Sequence, residues 1–207
     1  MTPAARRVVV IDSGVDAQHR ALRAHRVVAG PAFGSTGDGG QDLLGHGTAV
    51  AATMVRFLGD VQVEITSLRV FDREPVCDFA LVLQALAHAV SLRPQFVNLS
   101  LGTTSLRYRT ALLELSRTAK AQGTRIVAPA SYGGMACDPG NLADVEAVVG
   151  DPNVLPMVPE LRRHGGRFVW FASPLPPADA DGVRRLMARG DSLAVAAVTG
   201  CLLRSLG

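Results

Sequence analysis

The chain has 207 residues, of which 48% are hydrophobic and 19% charged, with 21 glycines and 12 prolines. At about 150 residues per domain this implies one domain over residues 1–207, with too much apolar material for a disordered chain. The net charge is only +3, and the basic residues (Lys120 and otherwise arginines) are scattered in ones and twos, which argues against a nucleic-acid partner.

Membrane insertion is not expected either, because the longest apolar stretches, such as Ala194–Leu203, reach about half of the roughly 20 residues a span requires. Arg6-Arg7 is followed by too short an apolar run before Asp12 for a signal peptide. Cys77, Cys137 and Cys201 are widely spaced, which fits a reducing cytoplasm better than a disulfide framework or a zinc site. No pattern speaks to oligomeric state.

In chain order, Val8–Ile11 reads as a buried strand, and Thr48–Leu58 is apolar nearly all round, as a buried helix is. Val63–Phe71 is strand-like. Asp78 can cap a helix running to about Leu92, with Pro94 just beyond it. Phe96–Leu101 is the next strand, and Tyr108–Gln122 is an amphipathic helix with Gly123 at its stop. Arg125–Ala128, Val145–Val149 and Phe168–Phe171 read as strands, and Leu193–Leu206 as a last apolar helix. Gly34–Gly45 and Ser173–Asp181 are loop-like. This alternation predicts an α/β fold, a mostly parallel sheet with helices on both faces. Sites in such folds form at the carboxyl ends of the strands.

Three polar residues stand at such ends. Asp12 follows the first strand in Asp12-Ser13-Gly14, where a carboxylate can orient a histidine or simply hold a turn. His46 opens a buried helix between two glycines. Ser192, in Gly190-Asp191-Ser192, opens the last helix, where unpaired N–H groups and the positive dipole end favour developing negative charge. A capping serine is the plainer use of that position.

Asp, then His, then Ser is the chain order of subtilisin. Val9-Val10-Ile11-Asp12-Ser13-Gly14-Val15-Asp16, Gly45-His46-Gly47-Thr48, Asn98-Leu99-Ser100-Leu101-Gly102 and Gly190-Asp191-Ser192-Leu193-Ala194 resemble, in order, four motifs of the subtilisin-like serine proteases. The resemblance implies a three-layer subtilisin-like domain and a serine endopeptidase or peptide-processing enzyme. Ser192 would be its nucleophile, His46 its base and Asp12 the residue that fixes the imidazole tautomer. Its partner would be a peptide or protein, held along Ser100, Leu101 and Gly102 and beside Ala130 and Gly133. No metal or organic cofactor is implied.

The chain departs from the family pattern at several places. Where the family has an oxyanion-binding Asn, this sequence has Tyr132, with Asn141 as a second candidate donor; loss of that donor slows subtilisin about 10²–10³-fold. Asp191 stands in place of a Thr, where its charge would oppose an oxyanion unless paired or turned away. Ala196 replaces a Pro. The chain starts at the first core strand and stops shortly after Ser192, which is expected to leave no room for a prodomain or closing helices. Asp38 and Asp42, in the glycine-rich loop, read as solvated turn acids rather than calcium ligands. A nucleophilic Cys137 is conceivable, while Cys77 and Cys201 read as core residues. The competing reading is a subtilase fold that has lost catalysis and binds a peptide or protein. A nucleotide-binding fold is disfavoured, because Gly37, Gly39 and Gly40 lack the lysine and the strand-to-helix setting of a phosphate loop.

Overall fold

A computed structural model describes residues 5–175 and 190–206. The second expected loop, Ser173–Asp181, lies outside the described residues from position 176 onward. Among the described residues, ten strands and four α-helices follow one another: β1 (Arg6–Asp12), β2 (Arg26–Ala32), α1 (His46–Val55), β3 (Val63–Arg69), α2 (Phe79–Ser91), β4 (Phe96–Leu99), α3 (Arg109–Ala121), β5 (Arg125–Pro129), β6 (Ser131–Tyr132), β7 (Met135–Ala136), β8 (Val145–Gly150), β9 (Glu160–His164), β10 (Arg167–Ala172) and α4 (Asp191–Ser205).

Eight strands form one sheet in the order β2-β3-β1-β4-β5-β8-β10-β9. All neighbours are parallel except β9, which pairs antiparallel with β10. The apolar run in β1 is explained by burial on both faces, since alternate side chains of a strand point to opposite sides. Val8 and Val10 enter the core under α1 and α4, whereas Val9 and Ile11 enter the core under α2 and α3. The expected three-layer α/β architecture is therefore the observed one.

Sequence patterning located the four α-helices of the described residues, with Asp78 capping α2 through Ala80 N–H at 2.9 Å, but not the single 3-10 turns at Arg20–Leu22 and Leu106–Tyr108. The strands it did not predict are β2, β6, β7 and β9. Both edge strands of the large sheet are among them. β2 carries Gly30-Pro31 and a register shift between Ala29 and Ala32, which is tolerated where one side of the ladder is unpaired. β9 is rich in charge (Glu160, Arg162, Arg163), as exposed edges tend to be.

Helices α1 and α4 are buried along nearly their whole lengths. They cross closely at Gly200, where a Cβ would run into the carbonyl oxygen of Met54 and stand 2.9 Å from Phe57 Cβ. No helix among the described residues is long and apolar enough to cross a membrane.

Candidate active site

Asp12 ends β1 with 1% of its surface exposed. Its Oδ1 accepts from the Ser13 amide at 2.8 Å and lies 2.6 Å from His46 Nδ1. Its Oδ2 is buried with no hydrogen-bond partner, so the imidazole carries most of the compensation for this charge. His46 is the first residue of α1, and its ring bonds to Asp12 rather than to the nearby backbone. With the Nδ1 proton held by the carboxylate, Nε2 is left as the basic nitrogen.

The Asp12 charge raises the His46 pKa above the ordinary 6.5, partly opposed by burial and supported by the hydrogen bond itself and by the charge of Asp42. A raised histidine pKa contributes stability that is fully present below the unfolded value and is lost as pH rises through the folded one. Imidazole NMR is expected to place the His46 midpoint above 6.5 in the folded chain and to show it falling in Asp12→Asn. A wild-type midpoint at or below 6.5 would contradict the coupling.

Ser192 lies in the first turn of α4, one residue past Asp191, and Gly190 rather than the serine occupies the cap position. Its hydroxyl donates to the carbonyl oxygen of Ser100 at 3.1 Å. β1 and β4 pair in register up to Ile11 and Leu99, so Ser100 and Asp12 are the next residues along adjacent strands. Neighbouring strands lie about 5 Å apart. The hydroxyl is therefore anchored one strand away from the Asp12–His46 pair, at the same rim of the sheet. Behind it, Thr199 donates to Asn98 Oδ1 at 2.9 Å and Asn98 donates to Ser100 Oγ at 2.8 Å, which ties α4 to the end of β4.

Asp191 turns toward β8, where its Oδ1 accepts from Gly150 N–H at 3.0 Å. A Cβ at position 150 would crowd that oxygen, so the bond as it stands uses the space the glycine leaves. The charge expected to oppose an oxyanion is thus paired with a backbone donor. Burial holds this carboxyl above its ordinary pKa, with Gly150 N–H pulling the other way. An acid with a raised folded pKa binds more protons folded than unfolded, so stability falls as pH rises through that range. Asp191→Asn keeps an acceptor for Gly150 and removes the charge. Its melting temperature relative to wild type is expected to rise from acidic to neutral pH, and a pH-independent difference would refute this assignment.

The remaining predicted residues divide into those that face the rim and those engaged elsewhere. Tyr132 sits in a two-residue β6–β7 hairpin turned by Gly133 and Gly134, both at positive φ, and is 70% exposed. Asn141 spends its amide on Ala130 O at 2.6 Å and Cys137 O at 2.7 Å, so its role is to hold this loop rather than to donate to an oxyanion. Ala130 likewise has both backbone groups engaged, its N–H with Val148 O at 2.7 Å and its carbonyl with Cys137 N–H at 3.1 Å. It can offer a substrate only its side chain, and Gly133 stands at the exposed hairpin tip. Leu101 packs on the core beneath the rim. Gly102 abuts Cys137, whose Sγ is 2.8 Å from where a Cβ of Gly102 would be.

Three expectations need correction. Cys137 is no nucleophile, because it is 1% exposed, its thiol faces Pro129 O at 3.2 Å, and burial with the charges of Asp191 and Asp138 pushes its pKa up to about 11. Cys77 packs, partly buried, against the core beneath α2 and α3, and Cys201 is also only partly buried, so neither is fully enclosed as a core residue would be. Asp42, unlike Asp38, is not a solvated turn acid. Its Oδ1 accepts from Ser13 Oγ at 2.7 Å and Gly45 N–H at 2.8 Å, and its Oδ2 from Thr48 N–H at 2.8 Å and Thr48 Oγ at 2.5 Å. Asn98, Thr199 and this use of Asp42 were not found by sequence reasoning. The one available signal for Asp42 was an acid four residues before a histidine at a helix start.

A parallel α/β sheet with a carboxylate–imidazole pair and a helix-borne serine at its carboxyl rim defines a class of folds that includes the subtilisins. Residues 5–146 match the sequence model of the subtilase family, and the chain belongs to that family. It is 32% identical over 106 residues to a thermostable alkaline protease of Halalkalibacterium halodurans, a match covering 48% of this chain and 28% of the relative. The chain thus spans little more than a quarter of that relative's length. Among solved structures, a lanthipeptide protease superposes with a TM-score of 0.67 at 19% identity, covering 94% of this chain and 71% of the other. Sphericase gives 0.68 at 18% identity, with coverages of 98% and 79%.

Proposed function

We propose that this chain is a serine peptidase acting on peptide or protein substrates, with Ser192, His46 and Asp12 as its catalytic residues. The observation that carries this reading is the 2.6 Å bond between His46 Nδ1 and buried Asp12, at the rim where the Ser192 hydroxyl is anchored. Ser192 Oγ leaves the Ser100 carbonyl and bonds to the scissile carbonyl carbon while its proton passes to His46 Nε2. The carbon–nitrogen bond then breaks and that proton goes to the leaving amine, giving an acyl-enzyme that water hydrolyses by the reverse proton path. The imidazolium formed midway is stabilised by Asp12.

With Tyr132 exposed and Asn141 engaged, oxyanion stabilisation falls to the backbone N–H groups and dipole of the first turn of α4. A catalyst short of one side-chain donor is slow rather than dead. An extended substrate pairs along Ser100–Gly102, which suits processing of a peptide, by hydrolysis or by transfer of the acyl group to an amine.

The same missing donor favours a second reading, a subtilase that only binds its peptide. A fluorophosphonate probe separates the two. Labelling of wild type but not of Ser192→Ala supports the peptidase. No labelling of folded wild type, with equal peptide affinity in both proteins, selects the binder.

A further inference from the structure

Helix α1 begins with a cap residue, Gly45, that has no side chain to satisfy the first-turn amides. Two residues from outside the helix do so instead. Ser13 Oγ accepts from Gly47 N–H at 2.9 Å, and Asp42 accepts from Thr48 N–H at 2.8 Å. The Ser13 hydroxyl that receives Gly47 donates its own proton to Asp42 Oδ1, at 2.7 Å. Thr48 Oγ donates to Asp42 Oδ2 and receives Asp16 N–H at 3.0 Å, which closes the network onto the segment after β1.

Asp42 therefore grips both sides of the Asp12–His46 bond from behind. On one side it holds Ser13, the neighbour of Asp12; on the other it holds Gly45 and Thr48, which flank His46. Four hydrogen bonds to one carboxylate tie the residue after Asp12 to the residues around His46, and they reinforce the direct Ser13–Gly47 and Asp16–Thr48 bonds between the same two elements. The charge also lies at the positive end of α1.

We propose that Asp42 is a positioning residue for His46, setting the distance and ring orientation of the Asp12–His46 pair without touching substrate. The inference rests on the peptidase reading for its kinetic consequence but not for its structural one. Misplacing a reacting group by about 1 Å can cost on the order of 10² in rate. Asp42→Ala is thus expected to lower kcat about 100-fold with KM little changed, since Ser100–Gly102 is untouched. Asp42→Asn, which keeps one acceptor, should lose about 10-fold, between Asp42→Ala and wild type. Asp38→Ala is the control, a loop acid of the same segment whose carboxylate, among the described residues, accepts from Gly40 N–H and not from α1.

The second readout is the low-field Nδ1 proton resonance of His46, which needs no turnover. It is expected to be sharp in wild type and Asp38→Ala, and broadened or lost in Asp42→Ala. Should Asp42→Ala fail to fold, Asp42→Asn and Thr48→Val carry the same test. Loss of the resonance in the Asp42 variants of a wild type without turnover upholds the positioning role and sinks the peptidase reading. Full kcat, or an unchanged resonance, in folded Asp42→Ala overturns the proposal.

Discussion

Ser192→Ala is expected to lower kcat by about 10⁶, the scale that loss of the nucleophile has in subtilisin, a member of the same family. The physical reason is that in the proposed mechanism the three residues act as one unit. Without Oγ no acyl-enzyme forms, and His46 and Asp12 have no proton to move. A double variant, Ser192→Ala with His46→Ala, should accordingly be no slower than either single one. Asp12→Asn should cost less, about 10⁴, because Nε2 survives in the wrong tautomer. Steady-state hydrolysis of a peptide substrate, at matched concentrations of folded protein, provides the measurement. A Ser192→Ala protein retaining more than about a hundredth of wild-type kcat would contradict the proposed mechanism.

The second large effect belongs to Gly47. A Cβ there would collide with the carbonyl oxygen of Gly14 and stand 3.1 Å from Asp12 Cβ, so the start of α1 would have to back away from the end of β1. Both obstacles are backbone or near-backbone atoms, which cannot swing aside as a long side chain can. Gly47→Ala is expected to cost about 1–3 kcal/mol of stability, the range for forcing extra volume into a packed site. The same displacement pulls His46 from Asp12, so kcat should fall on the order of 10² at temperatures where the variant is still folded. Thermal melts and kinetics together test this. A variant as stable and as active as wild type would show that the close approach matters little.

How much of this was legible beforehand depended on where each residue lies relative to the core. The alternating fates of Val8, Val9, Val10 and Ile11 follow from a parallel sheet covered on both faces, and such runs declare themselves in sequence. The edge strands β2 and β9 do not, because one side of each ladder is unpaired and little selects for an apolar pattern. The expected helix Thr48–Leu58 is observed as His46–Val55, since Phe57 and Leu58 bury themselves in the turn that follows rather than in the helix.

At the rim, Asp12, His46 and Ser192 could be picked out because each ends or begins an apolar element. The role of Asp42 was hidden. An acid in a glycine-rich loop looks solvated until the fold brings Ser13 and Thr48 to its two oxygens. Asp191 was legible as an anomaly but not in its resolution, which depended on Gly150, 41 positions away along the chain. Tyr132 and Asn141 show the converse. Each has the right chemistry for an oxyanion donor, and only tertiary geometry reveals that one points to solvent and the other is used within its own loop.

The Gly200–Met54 crossing has a consequence for how this protein should fail. The segment bearing the hydroxyl and the segment bearing the imidazole are clasped backbone to backbone in the deepest part of the molecule. They cannot drift apart through a local fluctuation of the rim alone. Amide protons of both segments should therefore exchange only through the rarest, whole-molecule openings. Heat should accordingly abolish chemistry and architecture in a single event, leaving no intact but disarmed intermediate.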